Sequence, residues 1–152
     1  MNATTFLKKQ HREAMAMIEL LEQGDGEKLE GASLVLFGKL KSALVFHTTV
    51  EEQIFYHNLA NEPLTENLID DAYSEHRAVD QLLVGLSVPT DKWRQLLHEL
   101  KREVAHHVDE EENDIFPKAE KLLGKRKLDQ MGWQMEQIKK GKTANLGEAY
   151  RV

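Results

Sequence analysis

The sequence predicts an all-α protein, an antiparallel up-down four-helix bundle with a short C-terminal helical extension. Three observations predict it. Gly and Pro together number only twelve of 152 residues, and the intervals between them carry apolar residues at helical spacing. One amphipathic segment is written twice, sixty positions apart: His47 falls on His107, Glu51 on Glu111 and Phe55 on Ile115, with Leu36, Phe37, Leu40 and Leu44 on Leu96, Leu97, Leu100 and Val104. The segments before these two also repeat, at an offset of sixty-five, with Gln10-His11-Arg12 on Glu75-His76-Arg77. The chain is thus two copies of a helical hairpin, and short connections favour antiparallel neighbours.

The first helix is expected from Thr4 to Gln23, capped by Thr4 or Thr5 and stopped by Gly24-Asp25-Gly26. Its apolar stripe is Leu7, His11, Ala14, Ile18 and Leu21. The second runs from Ala32 to Leu59, ahead of the turn signal Asn61-Glu62-Pro63. The third, Leu64 to Leu86, carries the stripe Ala72, His76, Val79, Leu83 and Leu86. Thr90 caps the fourth, which reaches Phe116, where Pro117 is expected to kink or end it. Residues 1–123 form the bundle in this reading. Residues 124–152 form an extension, with a fifth helix over Arg126–Lys140 presenting Leu128, Met131, Met135 and Ile138, and a frayed tail.

Hydrophobic residues make up 41% of the chain and charged residues 30%, the ordinary balance of a globular protein. No cysteine is present, which excludes disulfides, thiolate zinc sites, iron–sulfur clusters and a cysteine nucleophile. The N-terminus has neither a basic flank nor an apolar core of the kind secretion needs, so a cytoplasmic location is expected. No apolar run is long enough to cross a bilayer. Residues 1–117 carry 11 Lys/Arg against 22 Asp/Glu, whereas residues 118–152 carry 9 against 4. An acidic body argues against a nucleic-acid surface. The basic tail is read as solvated or lying on that body. There is no Gly-rich phosphate loop and no His-Glu-x-x-His protease motif.

Each predicted helix sets one histidine in its apolar stripe: His11, His47, His76 and His107. The second and fourth add Glu51 and Glu111 one turn later. A single histidine so placed is ordinarily a hydrogen-bonded core residue. A buried ionised carboxylate is costly unless paired or bound to metal. Six such residues in register across a repeat need a common explanation, and a pair of cations supplies it, since carboxylates bridge metals and imidazoles complete the coordination.

From its first helix through Pro117 the chain resembles the bacterial hemerythrin-like, or HHE cation-binding, family. The segment from His107 to Ile115-Phe116-Pro117 is close to that family's second motif, while His57 stands where the family often has proline. The resemblance implies a non-haem di-iron centre, two Fe per chain, held by His11, His47, Glu51, His76, His107 and Glu111, with both glutamates and an oxygen bridging.

Several residues imitate this pattern. His106 and Glu110 share the four-residue spacing, but His106 lies about 100° off the stripe and breaks the sixty-residue register. Glu103-x-x-His106 imitates a ferritin-like motif that would have to occur twice. Glu52, Glu110 and Glu112 are read as surface acids or acids behind the ligands. His57 and His98 are read as exposed, and Tyr73 as core packing.

Two octahedral metals offer about six positions each, so two bridging carboxylates, four histidines and one oxygen bridge leave about two open. The oxygen-carrying hemerythrins fill one more position with a fifth histidine, which is not evident here. Three functions fit: a metal protein that binds or senses dioxygen, nitric oxide, peroxide or iron; an enzyme that consumes peroxide or another small oxidant; and a metal-free helical interaction module. Zinc or manganese would also suit these ligands.

Overall fold

The structure, a computed structural model, describes residues 1–141, so the tail reading lies outside it. Five helices follow in order: α1 (Ala3–Glu22), α2 (Ala32–Val50), α3 (Glu66–Ser87), α4 (Trp93–Glu110) and α5 (Phe116–Lys139), with no strand among the described residues. The first four form the predicted bundle, in which α1 neighbours α2 and α4 while α3 packs chiefly on α4. None of the helices is long and apolar enough to cross a membrane.

The stripes read from the sequence are the buried faces. On α1, Leu7, His11, Ala14, Ile18 and Leu21 are all buried, and on α3 so are Ala72, His76, Val79, Leu83 and Leu86. They sort into two apolar clusters. One gathers Ile18, Leu40, Leu83 and Leu100; the other gathers Leu7, Ile54, Ile69 and Ile115. Each stripe histidine lies where its helix passes from one cluster to the other, so the polar layer is walled by hydrocarbon on both sides.

Helix starts differ slightly from expectation. Asn2, not Thr4 or Thr5, caps α1: its side chain accepts from the Thr5 amide at 2.9 Å. Thr90 does not cap α4: Lys92 holds the N-cap position with no side-chain cap, and the Thr90 hydroxyl accepts from the Lys92 amide at 3.2 Å in the turn before it.

Two turns depart from α geometry, and both begin at a predicted bridging glutamate. Glu51–Phe55 and Glu111–Ile115 are π-helical, with the amides of Tyr56 and Phe116 bonding back to the carbonyls of Glu51 and Glu111. Such wide turns concentrate at functional sites. After the first, a short 3₁₀ turn over Tyr56–Asn58 ends the helix. After the second, the chain runs on. Pro117 does not end it, because the proline enters the first turn of α5, where a missing amide hydrogen is tolerated. The break falls instead at Gly124, whose φ of 77° glycine adopts without steric cost.

Beyond Gly124, α5 packs on α1. Leu128, Met131 and Met135 are buried with Ala3, Phe6 and Leu7. The contact is tightest at Gly132, where an added Cβ would lie 2.2 Å from the Met1 carbonyl oxygen and 2.6 Å from the Asn2 carbonyl carbon. Gly132→Ala must push the N-terminus away and is expected to destabilise the fold by about 1–3 kcal/mol, read as a lower urea midpoint at unchanged slope.

Candidate metal centre

All six sequence-predicted residues converge on one buried site. Glu51 and Glu111 are fully buried, and His11, His47, His76 and His107 are 2–5% exposed. The donor atoms form two groups that share Glu51: His11, His47, Glu51 and Glu111 in one, and Glu51, His76 and His107 in the other. The inward ring nitrogens face carboxylate oxygens. His11 Nε2 lies 3.0 Å from Glu111 Oε1, and His76 Nε2 lies 2.9 Å from Glu51 Oε1. His107 Nε2 lies 3.1 Å from Glu111 Oε1 and 3.3 Å from His76 Nε2.

The outward nitrogens are fixed from behind. His11 Nδ1 donates to Glu112 at 2.7 Å, His47 Nδ1 meets Gln10 Oε1 at 2.7 Å, His76 Nδ1 donates to Glu52 at 2.6 Å, and His107 Nδ1 donates to Glu75 at 2.7 Å. This orients every ring so that in its neutral form a lone pair on Nε2 points inward, as metal-binding histidines require. Glu52 and Glu112 are therefore acids behind the converging histidines. Gln10 and Glu75 do the same work from one residue before His11 and His76, a role not read from the sequence.

Sequence reasoning also missed Tyr56. It is fully buried, and its hydroxyl donates to Glu111 Oε2 at 2.5 Å while lying 3.2 Å from Glu51 Oε1. Its counterpart in the repeat is Phe116, which stacks on His11 at 5.8 Å. One half of the centre thus meets a phenol and the other a plain phenyl ring. Tyr73 is half-buried and packs edge-on to Tyr56, as expected of a core aromatic. His57 and His98 are exposed.

Electrostatics at the site call for positive charge. Burial opposes a charged His76, but the hydrogen bonds it donates to Glu51 and Glu52 overcome it and lift the ring to about 9. His107 and His11 are raised in the same way, against burial, chiefly by Glu111. Burial works against an ionised Glu51, yet His47 and the groups around it hold that carboxyl well below its usual range. Burial and the two carboxylates push the Tyr56 phenol far up. The site also fits a metal geometrically: Glu51 Oε2 and His47 Nε2 are buried without a hydrogen-bond partner, an arrangement that a cation between them would satisfy.

Four imidazoles and two carboxylates from four helices, each ring oriented from behind, define a cation-binding helical bundle. The model of the hemerythrin HHE cation-binding domain matches residues 2–119, and the chain belongs to that family. It is also similar to the crystal structure of a hemerythrin HHE cation binding domain-containing protein from Mycobacterium kansasii, with a TM-score of 0.76 and 26% identity over 99% of this chain and 88% of that one. No curated protein matches.

Proposed function

We propose that the chain holds two iron ions between the four helices and presents them to a small ligand: dioxygen, nitric oxide or peroxide. His11, His47, His76 and His107 would each give Nε2, and Glu51 and Glu111 would reach both ions. Iron in such a site supplies redox chemistry and open coordination positions. The chain's own residues do the rest. Glu112, Gln10, Glu52 and Glu75 hold the rings in register. The apolar walls keep bulk water out.

The observation that supports a small ligand is a cavity against three of the site's histidines. It measures about 20 Å³ and is lined by His11, His47 and His107 together with Ala14, Leu44, Val79 and Val104. That is room for one water-sized molecule. A substrate of many atoms has no place there without rearrangement of the helices.

A second reading, turnover of peroxide, draws support from Tyr56. Its hydroxyl sets a hydrogen-bond donor against Glu111 at the centre, which pure ligand binding does not need. An anaerobic Fe²⁺ titration followed by air, nitric oxide or peroxide tests both readings. Two ions per chain and a change in the optical spectrum on adding the ligand are expected; a chain that retains no iron would refute the proposal. Sustained oxygen evolution from peroxide selects the second reading. In the same experiment Tyr56→Phe is expected to keep both ions and to alter the visible spectrum of the oxidised centre.

A further inference from the structure

We propose a second, outer site for a divalent cation on the seam between α3 and α4, formed by Glu75, His106 and Glu110, which loads the buried centre. One donor atom from each lies within 4.8 Å of the others. His106 Nε2 is 3.3 Å from Glu75 Oε2 and 3.5 Å from Glu110 Oε2, and at neither distance does it form a hydrogen bond. Glu110 Oε2 is buried with no hydrogen-bond partner. Neither carboxylate is paired with a Lys or Arg among the described residues. Two close carboxylates, an imidazole aimed between them and an unsatisfied buried oxygen make an N/O donor set that suits a first-row divalent ion.

Glu75 links this cluster to the interior. Its Oε1 accepts from His107 Nδ1 at 2.7 Å, while its Oε2 faces His106. One carboxylate therefore touches a ring of the buried centre with one oxygen and the outer cluster with the other. On the solvent side, His106 is 65% exposed and opens onto a groove of about 800 Å³ whose charged residues are Glu99, Glu103 and Arg102. From the groove, His106 leads to Glu75 and Glu75 to the back of His107.

The internal repeat argues that this cluster is not a by-product of the fold. In the first hairpin the equivalent positions of Glu75, His106 and Glu110 are Gln10, Phe46 and Val50. Phe46 and Val50 lie beside Ile138 of α5 in that hairpin, where no acid takes the place of Glu75 or Glu110. The same backbone thus holds together without this Glu-His-Glu set, which only the second hairpin carries. The proposal rests on the buried iron centre for its loading role, but not for the outer site itself.

The test is a Mn²⁺ titration of the iron-loaded chain, following free Mn²⁺ by its paramagnetic resonance signal. Wild type is expected to take up one Mn²⁺ per chain. His106→Ala and Glu110→Gln are expected to weaken it at least about tenfold, the lower end of what losing a neighbour of a metal ligand costs. His106→Phe, which copies the first hairpin, should melt like wild type and also lose the ion, separating binding from folding. In a second measurement, Fe²⁺ uptake by the stripped chain should be slower in all three variants and reach the same final content. Variants that bind Mn²⁺ as tightly as wild type overturn the site. Equal uptake rates overturn its loading role. Were the buried centre not to hold iron, the Mn²⁺ titration of the metal-stripped chain would still separate wild type from His106→Ala.

Discussion

Glu51→Ala or Glu111→Ala is expected to strip the protein of most of its iron, or to leave one ion where there were two. Each carboxylate is fully buried and reaches both halves of the centre: Glu51 Oε1 lies 3.2 Å from His47 Nε2 and 2.9 Å from His76 Nε2. Glu111 Oε1 lies 3.0 Å from His11 Nε2 and 3.1 Å from His107 Nε2. Alanine removes the shared donor and leaves the facing imidazoles to repel one another once protonated. The controls sit one residue away. Glu110→Ala and His106→Ala are expected to hold near-normal iron at saturation, because both side chains lie outside the buried layer, whereas His107→Ala is expected to be severe. Iron per chain in the purified variants decides the matter. Full iron in the Glu51, Glu111 and His107 variants would refute the assignment.

Metal removal is expected to lower the melting temperature, and by an amount that grows with pH. In the stripped protein, positive charge at the centre must come from protons. His76 has its folded-state value raised from 6.5 to about 9, so its contribution is fully present below about 6.5 and is lost as the pH rises through about 9. At about 1.4 kcal/mol per unit, this ring alone carries roughly 3 kcal/mol. His11 and His107 act in the same direction. Glu51 has the opposite sign: its folded-state value is depressed, so its contribution is present above about 4.5 and is lost as the pH falls through the lowered value. The iron-loaded protein behaves differently, since metal requires neutral imidazoles and binds more tightly as protons leave. The gap between the two melting curves should therefore widen from about pH 6.5 to about pH 9. A gap independent of pH, with metal loss verified, would count against the shared-cation account of the core.

The six converging residues were legible because they obey the two regularities a sequence displays well. Each sits in an apolar stripe of helical period, and the whole pattern occurs twice. Tyr56 obeys neither. Five residues after Glu51 on an ideal helix, at about 100° per residue, it would point about 140° away from that carboxylate. The π turn places its amide on the Glu51 carbonyl and its hydroxyl 3.2 Å from the Glu51 side chain. A local widening of the helix leaves no periodic trace, so the residue that it aims inward stays hidden. Gln10 and Glu75 escaped for a different reason. Their partners lie on neighbouring helices, and the contact depends on how closely those helices pack. Pro117 was misread because a proline that stops a helix and one that opens the next turn look alike in sequence. Glu75, His106 and Glu110 were each legible as acids or as an off-stripe histidine. Their meeting across α3 and α4 was not.

The clasp between α1 and α5 has a consequence for how the chain must be made. Ala3, Phe6 and Leu7 are made more than a hundred residues before Leu128, Met131 and Met135, the residues that cover them. At roughly 5–20 residues per second, the first helix waits on the order of ten seconds for its cover. During that interval its apolar face is open to any passing chain. Covering the first turn of α1 is therefore tied to synthesis of α5, and a chain halted before Leu128 would leave that turn open.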